Sequence, residues 1–174
     1  MAILPIKRFG DPVLRDAARP VGRFDESLRK LADDMLETMY DAPGVGLAAP
    51  QVGVSLRLIV FDDGSGPRSL VNPDLFDPRG EQDGEEGCLS LPGLYFPVQR
   101  AAAIRVSGYE VDGTPVAFDA QDFMARILQH ETDHVNGILF IDRLSAEDRR
   151  EAMRLLREQE LGLASRQGDP SRAL

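Results

Sequence analysis

Residues 129–134 read Gln-His-Glu-Thr-Asp-His and contain both histidines of this 174-residue chain, His130 and His134. Successive residues of an α-helix turn by about 100°, so side chains four positions apart project from one face and can bind one metal ion. Glu131 lies between them, close enough to act on a water molecule at that metal. The spacing therefore predicts a metal site on a helix. The alternative is a helix that carries two histidines and a glutamate without a metal.

Two imidazoles are too few ligands for a metal site, and the chain contains a single cysteine, Cys88. A lone cysteine is often only a small buried apolar residue. Beside a two-histidine site it becomes the candidate third ligand, and the adjacent Gly87 would let the backbone approach the metal closely. Structural zinc sites are usually closed by four protein ligands. Three ligands therefore favour a catalytic metal with water in the remaining position, although a carboxylate there stays open.

A glycine-rich segment upstream of the cysteine reads Gly-Val-Gly-Leu-Ala-Ala-Pro-Gln at residues 44–51. It is not a phosphate loop, because the Gly-Lys-Ser/Thr ending is absent. This segment, Glu-Gly-Cys-Leu-Ser at residues 86–90 and the run from residue 129 to Gly137 together resemble the three motifs of the peptide deformylase family, in the family's order. The similarity extends to Gly-Asp-Pro-Val-Leu-Arg at residues 10–15, so it covers nearly the whole chain.

The resemblance implies a metal-dependent hydrolase that removes the formyl group from the N-terminal formylmethionine of newly made polypeptides and releases formate. In that reaction Glu131 would take a proton from water and return it to the departing amine. The resemblance assigns the developing oxyanion to two donors, the side-chain amide of Gln51 and the backbone N–H of Leu89. It also implies one divalent metal ion, Fe(II) in the cell, although the donor set suits zinc, nickel or cobalt as well.

Substrate binding follows from the same resemblance, because family members hold the peptide extended like an added strand. We expect main-chain groups of Val45, Gly46 and Gly87 to hold the peptide backbone. The methionine side chain would enter an apolar pocket, for which Val45, Phe123 and Ile127 are the candidates. An ordinary core position is an equal alternative for Phe123 and Ile127.

Charged residues flank the candidate metal ligands. Glu86 is expected to pair with Arg100 and support the Cys88 segment, although a generic surface salt bridge between the two is an equal alternative. Asp133 is placed either to orient a ligand histidine or simply to support the helix.

The periodicity of apolar residues predicts three helices. The first is capped by Asp25 and ends near residues 41–43, before Pro43. The metal-binding helix begins after Asp119 and ends near Gly137, which suits a left-handed cap. The last helix begins at Ser145 and runs to about residue 162.

The middle of the chain predicts strands at residues 57–61, 69–72 and 102–109, and a hairpin around the Asp112-Gly113 turn. Residues 62–67 and 77–84 predict loops because they are rich in Asp, Gly and Pro. The resulting fold class is α+β, with mostly antiparallel strands packed around a central metal-binding helix and with an N-terminal and a C-terminal helix.

Bulk composition limits the domain organisation and the partners. With 43% hydrophobic residues, the chain predicts a single catalytic domain over residues 1–162 and a disordered tail over residues 163–174. The net charge of −9 argues against dedicated nucleic-acid binding. A single cysteine, no signal-peptide pattern and no long apolar run predict a cytoplasmic protein without a membrane segment. We expect it to act as a monomer.

Two other functions stay open. A zinc metallopeptidase of the His-Glu-x-x-His type would take its third ligand downstream as Glu or His, where the chain has no histidine although Glu147 and Glu151 are present. An inactive metal-binding relative would be expected to lose Glu131 or Gln51, and this chain keeps both.

The last helix and the tail suggest a partner. Residues 145–174 contain six acidic residues and six arginines, so this end carries no net charge while the rest carries −9. It is therefore the part of the chain least repelled by RNA, and a weak ribosome contact is one interpretation. The alternative is a solvated helix with Glu–Arg pairs three and four residues apart.

Overall fold

The computed structural model describes residues 2–162 and residue 174. Helix α1 (Glu26–Asp41) begins where the Asp25 carboxylate accepts a hydrogen bond from the backbone N–H of Leu28. The predicted cap is thus confirmed. Its buried face includes Met35 and Met39, which pack in one cluster with apolar residues of the main sheet.

Seven strands are present in the described part of the chain: β1 (Gly46–Ala48), β2 (Leu58–Phe61), β3 (Arg68–Arg79), β4 (Glu85–Cys88), β5 (Leu91–Pro97), β6 (Ala103–Tyr109) and β7 (Pro115–Gln121). The main sheet has the order β1-β2-β3-β6-β7, and every neighbouring pair is antiparallel. Strands β4 and β5 form a separate antiparallel hairpin. The hairpin carries the cysteine, and the main sheet carries the glycine-rich segment.

Helix α2 (Asp122–Val135) follows β7 directly and contacts β1, β2, β3, β6 and β7. Ile127, Leu128 and Val135 are fully buried in the cluster that α2 shares with the main sheet. The helix ends at Val135, and Gly137, two residues later, has a φ of +75°. A Cβ at this glycine would lie 2.5 Å from the carbonyl oxygen of Arg15, so both the backbone conformation and the space require glycine.

Helix α3 (Ala146–Glu160) begins where the Ser145 hydroxyl accepts a hydrogen bond from the backbone N–H of Asp148 at 3.1 Å. Its buried residues Ala152 and Leu156 pack in one cluster with β5 and with a 3-10 turn at Phe140–Arg143. Two further 3-10 turns lie at Pro12–Arg15 and Ala49–Val52. The expected disordered tail lies outside the described residues, apart from Leu174.

The α+β class and the central helix are confirmed. Two local expectations were wrong. Strand β3 continues to Arg79, through residues 77–79 where a loop was predicted, with register shifts against β6. Strands β4 and β5 were not predicted, because their Gly- and Pro-containing sequences lack the two-residue alternation of a half-buried strand. Among the described residues, no helix combines the length and apolar character that crossing a membrane requires.

Candidate metal centre

Three donors meet where the β4–β5 hairpin faces α2. Cys88 ends β4, and His130 and His134 lie one helical turn apart on α2 with ring centroids 5.0 Å apart. The sulfur of Cys88 lies 3.3 Å from Nε2 of His134, and one ligand atom from each residue lies within 4.8 Å of the others. All three residues are buried. The predicted ligands are therefore brought together as a metal-binding Cys-His-His triad.

The hydrogen bonding of the two ring nitrogens of His130 is that of a metal ligand. Its Nδ1 lies 2.8 Å from the Glu86 carboxylate, while its buried Nε2 has no hydrogen-bond partner among the described residues. A buried imidazole nitrogen rarely stays without a partner, and a carboxylate on the other nitrogen is the usual arrangement behind a metal-bound histidine. Thiolate and imidazole are donors suited to Fe(II), zinc, nickel and cobalt.

Glu86 is held by a buried network of arginines. Its carboxylate accepts hydrogen bonds from Nε and Nη2 of Arg100 at 2.8 and 2.9 Å and from Nη1 of Arg126 at 2.6 Å. Burial alone would raise the pKa of Glu86, but the hydrogen bonds from Arg100 and His130 outweigh it and hold the pKa well below its usual range. The pairing with Arg100 is thus confirmed, and the surface alternative is excluded because both side chains are buried.

Asp133 lies on the far side of this network. It accepts a hydrogen bond from Arg100 at 2.8 Å and a pair of hydrogen bonds from Arg143 at 2.8 and 2.7 Å. In the described part of the chain, the hydrogen bonds of the Asp133 carboxylate go to these two arginines and not to a ligand histidine, so direct orientation of a histidine by Asp133 is not observed. The carboxylate that contacts a ligand histidine is Glu86. The negative charges of Glu86 and Asp133 are thus paired with the positive charges of three arginines, because a buried charge is stable only when it has a partner of opposite sign.

Glu131 is fully buried, and both of its carboxylate oxygens lack a hydrogen-bond partner among the described residues. The side chain lies against Gly46 of β1, where an added Cβ would be 2.8 Å from Cδ of Glu131. Burial raises the pKa of Glu131 to about 7. A carboxyl group in this state can accept or return a proton near neutral pH.

The amide of Gln51 has a defined orientation. The backbone N–H of Ala48 donates to Oε1 of Gln51 at 2.9 Å, so this atom must be the acceptor and the NH2 group must point the other way. That NH2 group donates to Ser90 Oγ at 3.2 Å and lies 3.6 Å from the sulfur of Cys88. Gln51 is fully buried and presents donors beside the triad.

The remaining predicted residues lie around the triad with different exposure. Leu89 follows Cys88 and is half-buried, with its side chain against Gly44, where an added Cβ would lie 2.9 Å from Cδ1. Val45 is half-buried, Gly87 is buried and Ile127 is fully buried. Phe123 is 46% exposed at the start of α2.

Two functional contacts were missed from the sequence. Arg126 binds Glu86 and also donates to the carbonyl oxygen of Val98 at 2.9 Å, which ties α2 to the hairpin end. The signal was available, because Arg126 precedes His130 by four residues on the buried helix face. Ser90 accepts from Gln51, and no local pattern indicated this contact.

Taken together, the fold and the donor set define an α+β protein with a Cys-His-His site for a metal ion. The sequence profile of the polypeptide deformylase family matches residues 3–150. The chain therefore belongs to the polypeptide deformylase family.

Individual relatives agree with this assignment. The chain is 56% identical over 160 residues to the peptide deformylase of Acidothermus cellulolyticus, covering 92% of this chain and 89% of the relative. It is 52% identical to that of Parafrankia sp., over 92% of this chain and 88% of the relative. Among solved structures, peptide deformylase from Thermus thermophilus superposes with a TM-score of 0.87 at 44% identity, covering 92% of this chain and 97% of that one.

Proposed function

We propose that this protein hydrolyses the N-formyl group of polypeptides that begin with formylmethionine, releasing formate and a free amine. The observation that carries the proposal is the buried triad of Cys88, His130 and His134 beside the unpartnered carboxylate of Glu131. Membership in the family supports the same reaction.

The triad would hold one divalent metal ion per chain, Fe(II) in the cell. Such an ion lowers the pKa of a coordinated water from about 15.7 toward 7 and polarises a carbonyl oxygen. The orphaned Nε2 of His130 supports this assignment. With three protein ligands, the metal ion would keep a coordination position for water or substrate, as catalytic sites do.

Glu131 serves as the general base. Its buried carboxylate takes one proton from the attacking water, whose oxygen forms a bond to the formyl carbon. The same group then delivers the proton to the nitrogen of the departing amine as the C–N bond breaks. Water thus supplies the oxygen and hydrogen that formate and the amine gain.

Gln51 and Leu89 stabilise the oxyanion that forms on the former carbonyl oxygen. The Gln51 NH2 group is already turned toward the triad by the Ala48 N–H, so little reorganisation is needed during the reaction. The backbone N–H of Leu89 follows the Cys88 ligand directly and supplies the second donor. Loss of one such donor typically lowers the rate by about 100- to 1,000-fold.

The peptide lies along the main-chain groups of Val45, Gly46 and Gly87 as an added strand. Ile127 and Val45 form the apolar surface for the methionine side chain, with Phe123 at its exposed rim. Support comes from the hydrophobic cluster that contains Ile127 and against which Val45 packs.

The proposed cellular location and partner of the enzyme follow from its substrate, the nascent polypeptide. We propose a cytoplasmic monomer that meets nascent chains, with a weak contact between α3 and the ribosome. Within α3, Arg154 pairs with Glu151 and Glu158, which supports the alternative that these charges serve the helix. Reversing the charges of Arg154 and Arg157 and comparing ribosome co-sedimentation at low and high salt would separate the two interpretations.

The function is tested by formate release from formyl-Met-Ala-Ser by the Fe(II)-loaded protein. Acetyl-Met-Ala-Ser is the matched control, because it differs by one methyl group at the reacting carbonyl. We expect formate from the first peptide and little acetate from the second. Cleavage of an internal peptide bond would instead support the metallopeptidase, and metal binding without turnover would support the inactive relative.

A further inference from the structure

A residue of the chain itself lies on the hairpin edge that carries the metal ligand. The amide nitrogen of Leu174 donates to the carbonyl oxygen of Gly87 at 3.1 Å. Gly87 directly precedes Cys88 in β4, and in the described part of the chain β4 pairs only with β5. Leu174 therefore bonds to β4 as the first residue of an added strand would.

The side chain of Leu174 is also buried against apolar residues. It is 4% exposed and belongs to the hydrophobic cluster that contains Ile127, with Val45 packed against the same cluster. These are the groups assigned above to the incoming peptide: the carbonyl of Gly87 for its backbone, and Val45 and Ile127 for its side chain. Leu174 thus has two features expected of a bound peptide: its backbone N–H donates to Gly87, and its branched apolar side chain packs in the cluster that contains Ile127.

We infer that Leu174 occupies the peptide-binding groove and competes with the substrate, so that the chain inhibits itself reversibly. The inference rests on the proposed function, because that function assigns the groove. Leu174 carries no formyl group and is a competitor without being a substrate. Residues 163–173 join it to the segment that follows α3, so its effective concentration at the groove is set by the tether and not by the protein concentration.

Steady-state kinetics of Leu174→Asp provide the first test. A charged side chain is not retained in an apolar groove, so the groove should be free. If Leu174 is docked nine-tenths of the time, its release should lower KM for formyl-Met-Ala-Ser by about tenfold, with kcat unchanged. The control is Leu161→Asp, the same change at a leucine that is 65% exposed, and it should match the wild type. An unchanged KM in Leu174→Asp, or a change of kcat alone, overturns the inference.

A second test does not depend on turnover. In the full-length zinc-loaded protein with 13C-labelled leucine methyl groups, the unformylated peptide Met-Ala-Ser should shift the Leu174 signals to those of an exposed leucine. The Leu161 signals should stay in place. Binding of the peptide without movement of the Leu174 signals overturns the inference. Displacement of Leu174 by Met-Ala-Ser, together with no formate release from formyl-Met-Ala-Ser in the functional assay, would instead retain the docking contact and refute the proposed function.

Discussion

Nδ1 of His130 lies 2.8 Å from the carboxylate of Glu86, and this contact leaves only Nε2 of that imidazole for a metal ion. Glu86 is in turn held by Arg100 and Arg126, so the ring orientation is set by groups from three separate parts of the chain. A ligand that is oriented before the metal arrives loses little conformational freedom on binding.

Glu86→Gln should weaken metal binding by about 10- to 100-fold, because the amide is a poorer partner for Nδ1, removes the acidic partner of Arg126 and leaves Arg100 paired with Asp133 alone. Metal competition with a chelator of known affinity measures this. Glu147→Gln, at an exposed position of α3, is the matched control, and His134→Ala should lose the metal altogether. An unchanged metal affinity in Glu86→Gln would show that metal binding does not depend on the orientation of His130 by Glu86.

Glu131→Gln should keep the metal and lower kcat by about 100- to 10,000-fold, because the amide cannot accept the water proton. The measurement pairs elemental analysis with formate release on the same preparation. Turnover near the wild-type level would count decisively against a general base at this position.

Gly46→Ala should lower kcat by about 100-fold while the metal content stays constant. The added Cβ would lie 2.8 Å from Cδ of Glu131, so the carboxylate must move, and a displacement of about 1 Å can cost a factor of that size. Gly22→Ala is the control, because a Cβ at Gly22 would meet no atom within 4 Å. Equal kcat values for the two variants would show that Glu131 tolerates the displacement.

Asp142→Asn should destabilise the fold by about 1 kcal/mol at pH 7, since the carboxylate accepts hydrogen bonds from Arg15 and from the backbone N–H of Leu139. Burial alone would raise the pKa of Asp142, but these bonds outweigh it and lower the pKa from 3.8. A carboxyl group with a lowered folded-state pKa stabilises the fold above its unfolded-state pKa. That contribution is lost as the pH falls through the folded-state value.

Urea unfolding at pH 7, 5 and 3 tests this dependence. The difference between Asp142→Asn and the wild type should be similar at pH 7 and 5 and smaller at pH 3. Asp74→Asn, at an exposed position of β3, should show no such trend. A difference that is constant over the three pH values would contradict the titration of Asp142.

The amino-acid sequence alone predicted the features that depend on residues close together in the chain. The Asp25 cap, the glycine at the end of α2 and the histidine pair at four-residue spacing follow from helix geometry within a few residues. Cys88 was predicted as a ligand because the chain offers no other soft donor besides the two histidines. The motifs extended these predictions to Gln51 and Glu131.

Tertiary structure alone decided which distant groups meet. Glu86 contacts His130 across 44 positions, Gly46 receives the side chain of Glu131, and Leu174 reaches Gly87. The β4–β5 hairpin also lacked a local signal, because its strands are specified by cross-strand contacts more than by alternation. Contacts of this kind form only when the hairpin, the sheet and α2 pack together, so no short segment of the chain contains the information that specifies them.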